Sequence, residues 1–122
     1  MAYRSFEDLE VWQRACRLSV EIFQAFESCK YQNLTSQIDR CGLSVPSNIA
    51  EGAERGGAKE YAQFLKIAKG SAGELRTQLY IAKKLKAIPT EIASRMITES
   101  SEISAMLEGL RKSILRTKTP TT

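Results

Sequence analysis

Read at 100° per residue, the apolar positions near the start of the chain form two adjacent stripes instead of one. Leu9, Trp12, Cys16, Val20 and Phe23 share one side, and Val11, Ala15, Leu18, Ile22 and Ala25 the next. Polar Glu10, Gln13, Arg14, Arg17, Glu21 and Gln24 occupy the narrow face that remains. The pattern predicts a helix over 6–29 whose apolar arc covers about half its circumference, wider than the ~100° stripe of an ordinary surface helix. Such a helix is expected to be covered twice, once by its own bundle and once by another subunit. Ser5 followed by Asp8 resembles a capping box with Asp in place of Glu or Gln. Trp12 is expected to be largely buried.

Three more helical patterns follow. Leu34, Ile38, Cys41, Val45 and Ile49 fall on one face of a helix over 34–54, with Asn33 as its expected cap. Pro46 lies inside that pattern, where its ring opposes the carbonyl of Gly42. The segment reads as one helix kinked at Pro46 in preference to two. Ser47 and Asn48 are candidates to satisfy the backbone groups a kink leaves unpaired. After Arg55-Gly56-Gly57, a third stripe of Tyr61, Phe64, Leu65, Ala68, Ala72, Leu75, Leu79 and Ala82 predicts a helix over 58–86. Gly70 and Gly73 interrupt it at ~1 kcal/mol each relative to Ala, which points to close helix packing there or to a kink. A fourth helix starts at Pro89-Thr90-Glu91 and carries Ile92, Met96, Ile103, Leu107, Leu110 and Ile114. Short loops between four helices imply an all-α, antiparallel up-down-up-down four-helix bundle. It spans residues 1–116, with a polar tail over 117–122.

Composition narrows the function classes. With 43% hydrophobic and 26% charged residues the chain has the balance of a folded domain, not of a disordered one. No apolar run approaches the ~20 residues of a membrane span. Glu7, Asp8 and Glu10 stand where a signal peptide would have its apolar core. A cytoplasmic protein is expected, with no membrane partner. Three cysteines (Cys16, Cys29 and Cys41), widely spaced and without any histidine, leave no zinc motif, and Cys16 and Cys41 read as small core residues. The missing histidine also removes the commonest general base and any Glu-x-x-His di-metal site. Glu51, Glu60 and Glu74 read as solvated or salt-bridged carboxylates, not as a metal site. No phosphate-binding glycine loop is present. No catalytic residue, metal or cofactor is expected.

What remains is charge. The net charge is +4, but residues 55–86 alone hold eight basic and two acidic side chains. Lys66, Lys69, Arg76, Lys83 and Lys84 fall within about 100° of one another on the third helix, opposite its apolar stripe, with Tyr80 among them. A basic stripe enclosing an aromatic suits a phosphate-tracking surface with a base stacked on the ring. A solvated lysine-rich face that serves solubility has the same pattern. Asn48, Glu51 and Arg55, three to four residues apart, make a possible polar site.

Several motifs in order carry a resemblance. Phe6-Glu7-Asp8-Leu9 with Val11-Trp12 opens the chain, and Ser44-Val45-Pro46-Ser47-Asn48-Ile49-Ala50-Glu51-Gly52 with Arg55 lies mid-chain. Phe64-Leu65-Lys66-Ile67-Ala68-Lys69-Gly70-Ser71 with Glu74-Leu75 follows. Over roughly residues 5–115 the chain resembles the bacterial four-helix-bundle proteins also called the 23S ribosomal RNA intervening-sequence protein family. The resemblance implies a bundle that assembles into a ring, typically a homopentamer. Members are encoded within insertions in large-subunit ribosomal RNA genes or stand alone. A similar branch, the accessory proteins of diversity-generating retroelements, forms a basic pentameric barrel that partners a reverse transcriptase and nucleic acid. The family offers no established catalytic residue to carry over. Two functions follow as expectations: a ring-forming accessory protein that binds RNA or DNA, or a protein-interaction module that binds neither.

Overall fold

Ser5 organises the start of the chain. Its Oγ accepts the N–H of Glu7 at 3.2 Å and donates to the Glu7 carboxylate at 2.6 Å, so the serine side chain serves residue 7 while its carbonyl accepts the N–H of Asp8 at 3.1 Å. The turn it caps, Phe6–Asp8, is a short 3-10 helix, and Leu9 then adopts an extended backbone (ψ 127°). The predicted first helix is therefore divided, and α1 proper runs Glu10–Ala25. The computed structural model describes residues 5–118, in which three further helices follow: α2 (Gln32–Arg55), α3 (Ala58–Leu85) and α4 (Thr90–Lys118). No strand occurs among the described residues. Tyr31 holds the cap position of α2 without a side-chain bond, so Asn33 lies inside the helix and does not cap it. Helix α4 extends through residue 118, two residues into the expected tail, and residues 119–122 lie outside the described residues.

The helices pack in a ring of neighbours: α1 on α2, α2 on α3, α3 on α4, and α4 back on α1. The stripes read from the sequence form the shared core. Val11, Ala15, Leu18 and Ile22 of α1 meet Ile38, Cys41, Val45 and Ile49 of α2, Leu65, Ala68, Leu75 and Leu79 of α3, and Met96, Ile103 and Leu107 of α4. Near mid-height every helix contributes a small residue (Ala15, Gly42, Ala72, Ser100) around a seam with no room for water.

Glycine placement differs from the expectation. A Cβ at Gly42 would lie 3.2 Å from Ile22 Cδ1, and one at Gly52 would lie 2.6 Å from Phe64 Cβ. These two glycines of α2 let α1 and α3 approach. Gly70 and Gly73 face open space, so close packing within the bundle does not explain them.

The stripe of α1 from Leu9 to Phe23 is covered only in part. Leu9, Trp12 and Cys16 are half-buried, while Val20 and Phe23 are 55% and 46% exposed. Trp12 packs against the core from its edge and meets Phe6 edge-on, ring centroids 5.2 Å apart. Of the two cysteines assigned to the core, Cys41 is buried and Cys16 only partly so, while Cys29 is buried as well.

Candidate nucleic-acid interface

Lysines and arginine at seven-residue spacing line the edge of α3 that meets α4. Lys69, Arg76 and Lys83 recur every two turns, so they share one side of the helix. Lys69 marks which side, because its Nζ reaches Glu108 of α4 at 3.2 Å. Lys66 and Lys84 lie further round, exposed, and Tyr80 sits between the two rows at 56% exposure. The six residues singled out from the sequence therefore do share one surface. Among the described residues, Lys66, Arg76, Lys83 and Lys84 have no carboxylate within ion-pair distance.

The two ends of that surface differ. At the Lys69 end, Glu108 is also held by Arg111 at 2.8 Å, and Lys112 lies 4.0 Å away. Arg111 first, then Lys69, pulls the Glu108 carboxyl down to about 2. Lys69 is thus paired, sharing the one carboxylate with Arg111. At the other end, Tyr80, Lys83, Lys84, Lys86 and Thr90 line an open groove of about 470 Å³. Lys86 and Thr90 were not legible as site residues. Lys86 stands two residues past Lys84, about 200° round a helix and so on the apolar side. Its left-handed backbone (φ 56°, ψ 39°) ends α3 before that side is reached. Thr90 comes from a different helix.

Helix α4 sorts its charges. Glu99 takes two hydrogen bonds from Arg14 of α1 at 2.6 and 2.9 Å, Glu102 takes a third, and Arg95 reaches Glu21 at 3.0 Å. Those acids are turned toward α1. Seven, fourteen and eighteen residues before Glu108, on the side of α4 that faces the basic row, stand the hydroxyl residues Ser101, Ser94 and Thr90.

A family model described as 23S rRNA-intervening sequence protein matches residues 7–109, which span the core, the basic face and the groove. The chain belongs to the 23S rRNA-intervening sequence protein family. No curated protein matches it. A crystal structure of a protein of unknown function from the S23 ribosomal protein family of Bacteroides thetaiotaomicron is similar in fold. Its TM-score is 0.77 at 23% identity, covering 84% of this chain and 95% of that one.

In this intervening-sequence family member the polar trio of α2 does not converge. Asn48 Nδ2 donates to the Ser44 carbonyl and to Ser44 Oγ, both at 2.9 Å, and Ser44 Oγ meets Ser71 Oγ at 2.8 Å. Asn48 therefore serves the α2–α3 seam, while Ser47 is exposed. Arg55 joins Glu51 at 2.8 Å and Glu60 at 3.0 Å, its guanidinium 4.9 Å from the centre of the Phe64 ring. That cluster pins the Gly56-Gly57 turn. Burial pushes the Cys41 thiol up, and Cys41 donates to Glu74 at 3.6 Å. Among the described residues no three His, Cys, Asp or Glu side chains lie close enough together to hold a metal ion. No described helix is long and apolar enough to cross a membrane.

Proposed function

We propose that the chain is a non-enzymatic, cytoplasmic, ring-forming accessory protein that binds nucleic acid along the outer face of α3. The observation that carries this reading is the uncompensated row of Lys66, Arg76, Lys83 and Lys84 around an exposed Tyr80. Amines without carboxylate partners attract phosphate, and copies arranged in a ring multiply a modest patch into a strong field.

We infer an up-down-up-down bundle with α2 bent at Pro46. Supporting the arrangement, Cys41, Ser44 and Gly52 meet Glu74, Ser71 and Phe64 in reverse order, and Arg14 and Glu21 meet Glu99 and Arg95 likewise. Supporting the bend, the proline cannot donate to the Gly42 carbonyl.

The ring reading draws on two separate unpartnered apolar faces. Val20 and Phe23 are exposed on α1, and Ile67, Ile81 and Leu85 on α3, two helices that are not neighbours in the ring of four. Different faces on opposite helices suit a head-to-tail contact, which closes into a ring when the rotation permits. The family resemblance implies five copies. The exposed α3 residues favour a second reading, in which that face takes a protein partner instead.

The test is recovery of the native assembly from its own cells, with sequencing of bound RNA and DNA and mass spectrometry of bound protein. Enriched nucleic acid that salt releases is the expected result. A stoichiometric protein partner with no nucleic acid would favour the interaction module.

A further inference from the structure

We propose that the groove at the α3–α4 turn is where the chain takes up single-stranded nucleic acid, with a base stacked on Tyr80 and its flanking phosphates held by Lys83, Lys84 and Lys86. The inference rests on the nucleic-acid reading above and narrows it to one end of α3 and to single strands.

Charge chooses the end. Lys69 is paired with Glu108, whereas Lys83, Lys84 and Lys86, beside Tyr80 and Thr90, have no carboxylate within ion-pair distance among the described residues. Glu91, the acid in the first turn of α4, does not line the groove. Helix α4 begins at Thr90, so the partial positive charge of its first turn and the Thr90 hydroxyl add to the same end.

Shape and ring chemistry choose the strand form. The groove is concave and one edge is an aromatic ring that makes no hydrogen bond or ring contact with the described residues. Tyrosine ordinarily buries its ring and leaves its hydroxyl wet. Bases of a duplex are stacked on one another and cannot reach such a ring, whereas those of a single strand can.

Backbone conformation supplies the third amine. Lys86 is the one non-glycine residue with positive φ among the described residues, at a helix end where glycine is usual. Its N–H donates to the carbonyl of Lys83. A glycine would close the helix with less strain, but only lysine adds a cation to the groove.

Fluorescence anisotropy of the native protein with short labelled RNA, single-stranded DNA and blunt duplex, over a range of salt, tests the assignment. Single strands are expected to bind more tightly than duplex. Tyr80→Ala should weaken single-strand binding by about five- to a hundred-fold and leave the salt slope unchanged. Lys83→Gln with Lys84→Gln should flatten the log–log slope by about 0.7 per amine. Lys86→Gly should weaken binding while melting no lower than the native chain, which separates loss of the cation from loss of fold. Lys66→Gln with Lys69→Gln should matter less than either. Preference for blunt duplex, or a larger loss at Lys66 and Lys69 than at the groove, overturns this assignment and leaves the broader reading standing. Failure of the native protein to bind any of the three probes overturns both.

Discussion

The Cβ that Gly52 lacks would lie 2.6 Å from the Cβ of Phe64, with Tyr61 Cδ1 at 3.2 Å behind it. No side-chain rotation relieves a clash between two Cβ atoms, so α2 and α3 would have to separate. Gly52→Ala is therefore expected to cost about 1–3 kcal/mol, seen as a lower urea midpoint at unchanged slope.

Gly70 is the opposite case, since a Cβ there meets nothing. Gly70→Ala should stabilise the subunit by about 0.5–1 kcal/mol through helix propensity alone. The same urea titration reads it. A loss of stability in the assembled protein would mean that a neighbouring subunit packs on Gly70, which would fit the ring and contradict a free α3 surface at that height.

Arg14 and Glu99, with side chains 21% and 23% exposed, are the most sheltered ion pair joining α1 to α4. Hydrogen bonding from Arg14 holds the Glu99 carboxyl below the usual carboxylate range. The folded chain then binds fewer protons than the unfolded chain just below ~4.3, so stability rises with pH there. The contribution is complete above the ordinary carboxylate range and is lost as pH falls through the Glu99 value. Glu108, held at about 2, acts with the same sign at the surface. Arg14→Leu should cost about 1–3 kcal/mol at neutral pH by stranding Glu99. It should also flatten the acid limb of a stability–pH curve. An unaltered acid limb would show that Glu99 has no part in it.

Helix existence and core membership were legible because apolar periodicity is a local property: nearly every stripe residue of α2, α3 and α4 is buried or packed against the core. The break at Leu9 was hidden, since apolar residues keep helical spacing through the 3-10 turn. Glycine roles were hidden for another reason. A glycine has no side chain to place it on a face, so Gly52 at a contact and Gly70 in the open look alike along the chain. At the candidate interface, the shared face of Lys66 through Lys84 followed from spacing. The pairing of Lys69 with a residue 39 positions away did not, nor did the recruitment of Thr90.

The partly covered stripe of α1 gives assembly an optical signal. Trp12 is the chain's one tryptophan and lies half-buried on the stripe that ends in Val20 and Phe23. Phe23→Asp would put a charge in that stripe, and a desolvated charge without a partner opposes association. The variant is expected to have the mass of a 13.6 kDa subunit by light scattering, against several times that for the native chain. Its tryptophan emission should shift to the red. A native chain that already scatters as a single subunit would remove the ring.

The ring and the basic face make one joint claim, that assembly turns a weak patch into a binding surface, and one measurement addresses it. Binding of labelled single-stranded RNA is titrated against salt for the native protein and for Phe23→Asp in parallel. The native assembly should bind at low salt with a steep log–log slope, near −0.7 per phosphate contact. The dispersed subunits should bind far more weakly with a shallower slope. Equal affinity and slope from the two, or no binding by the native protein at low salt, would contradict the claim.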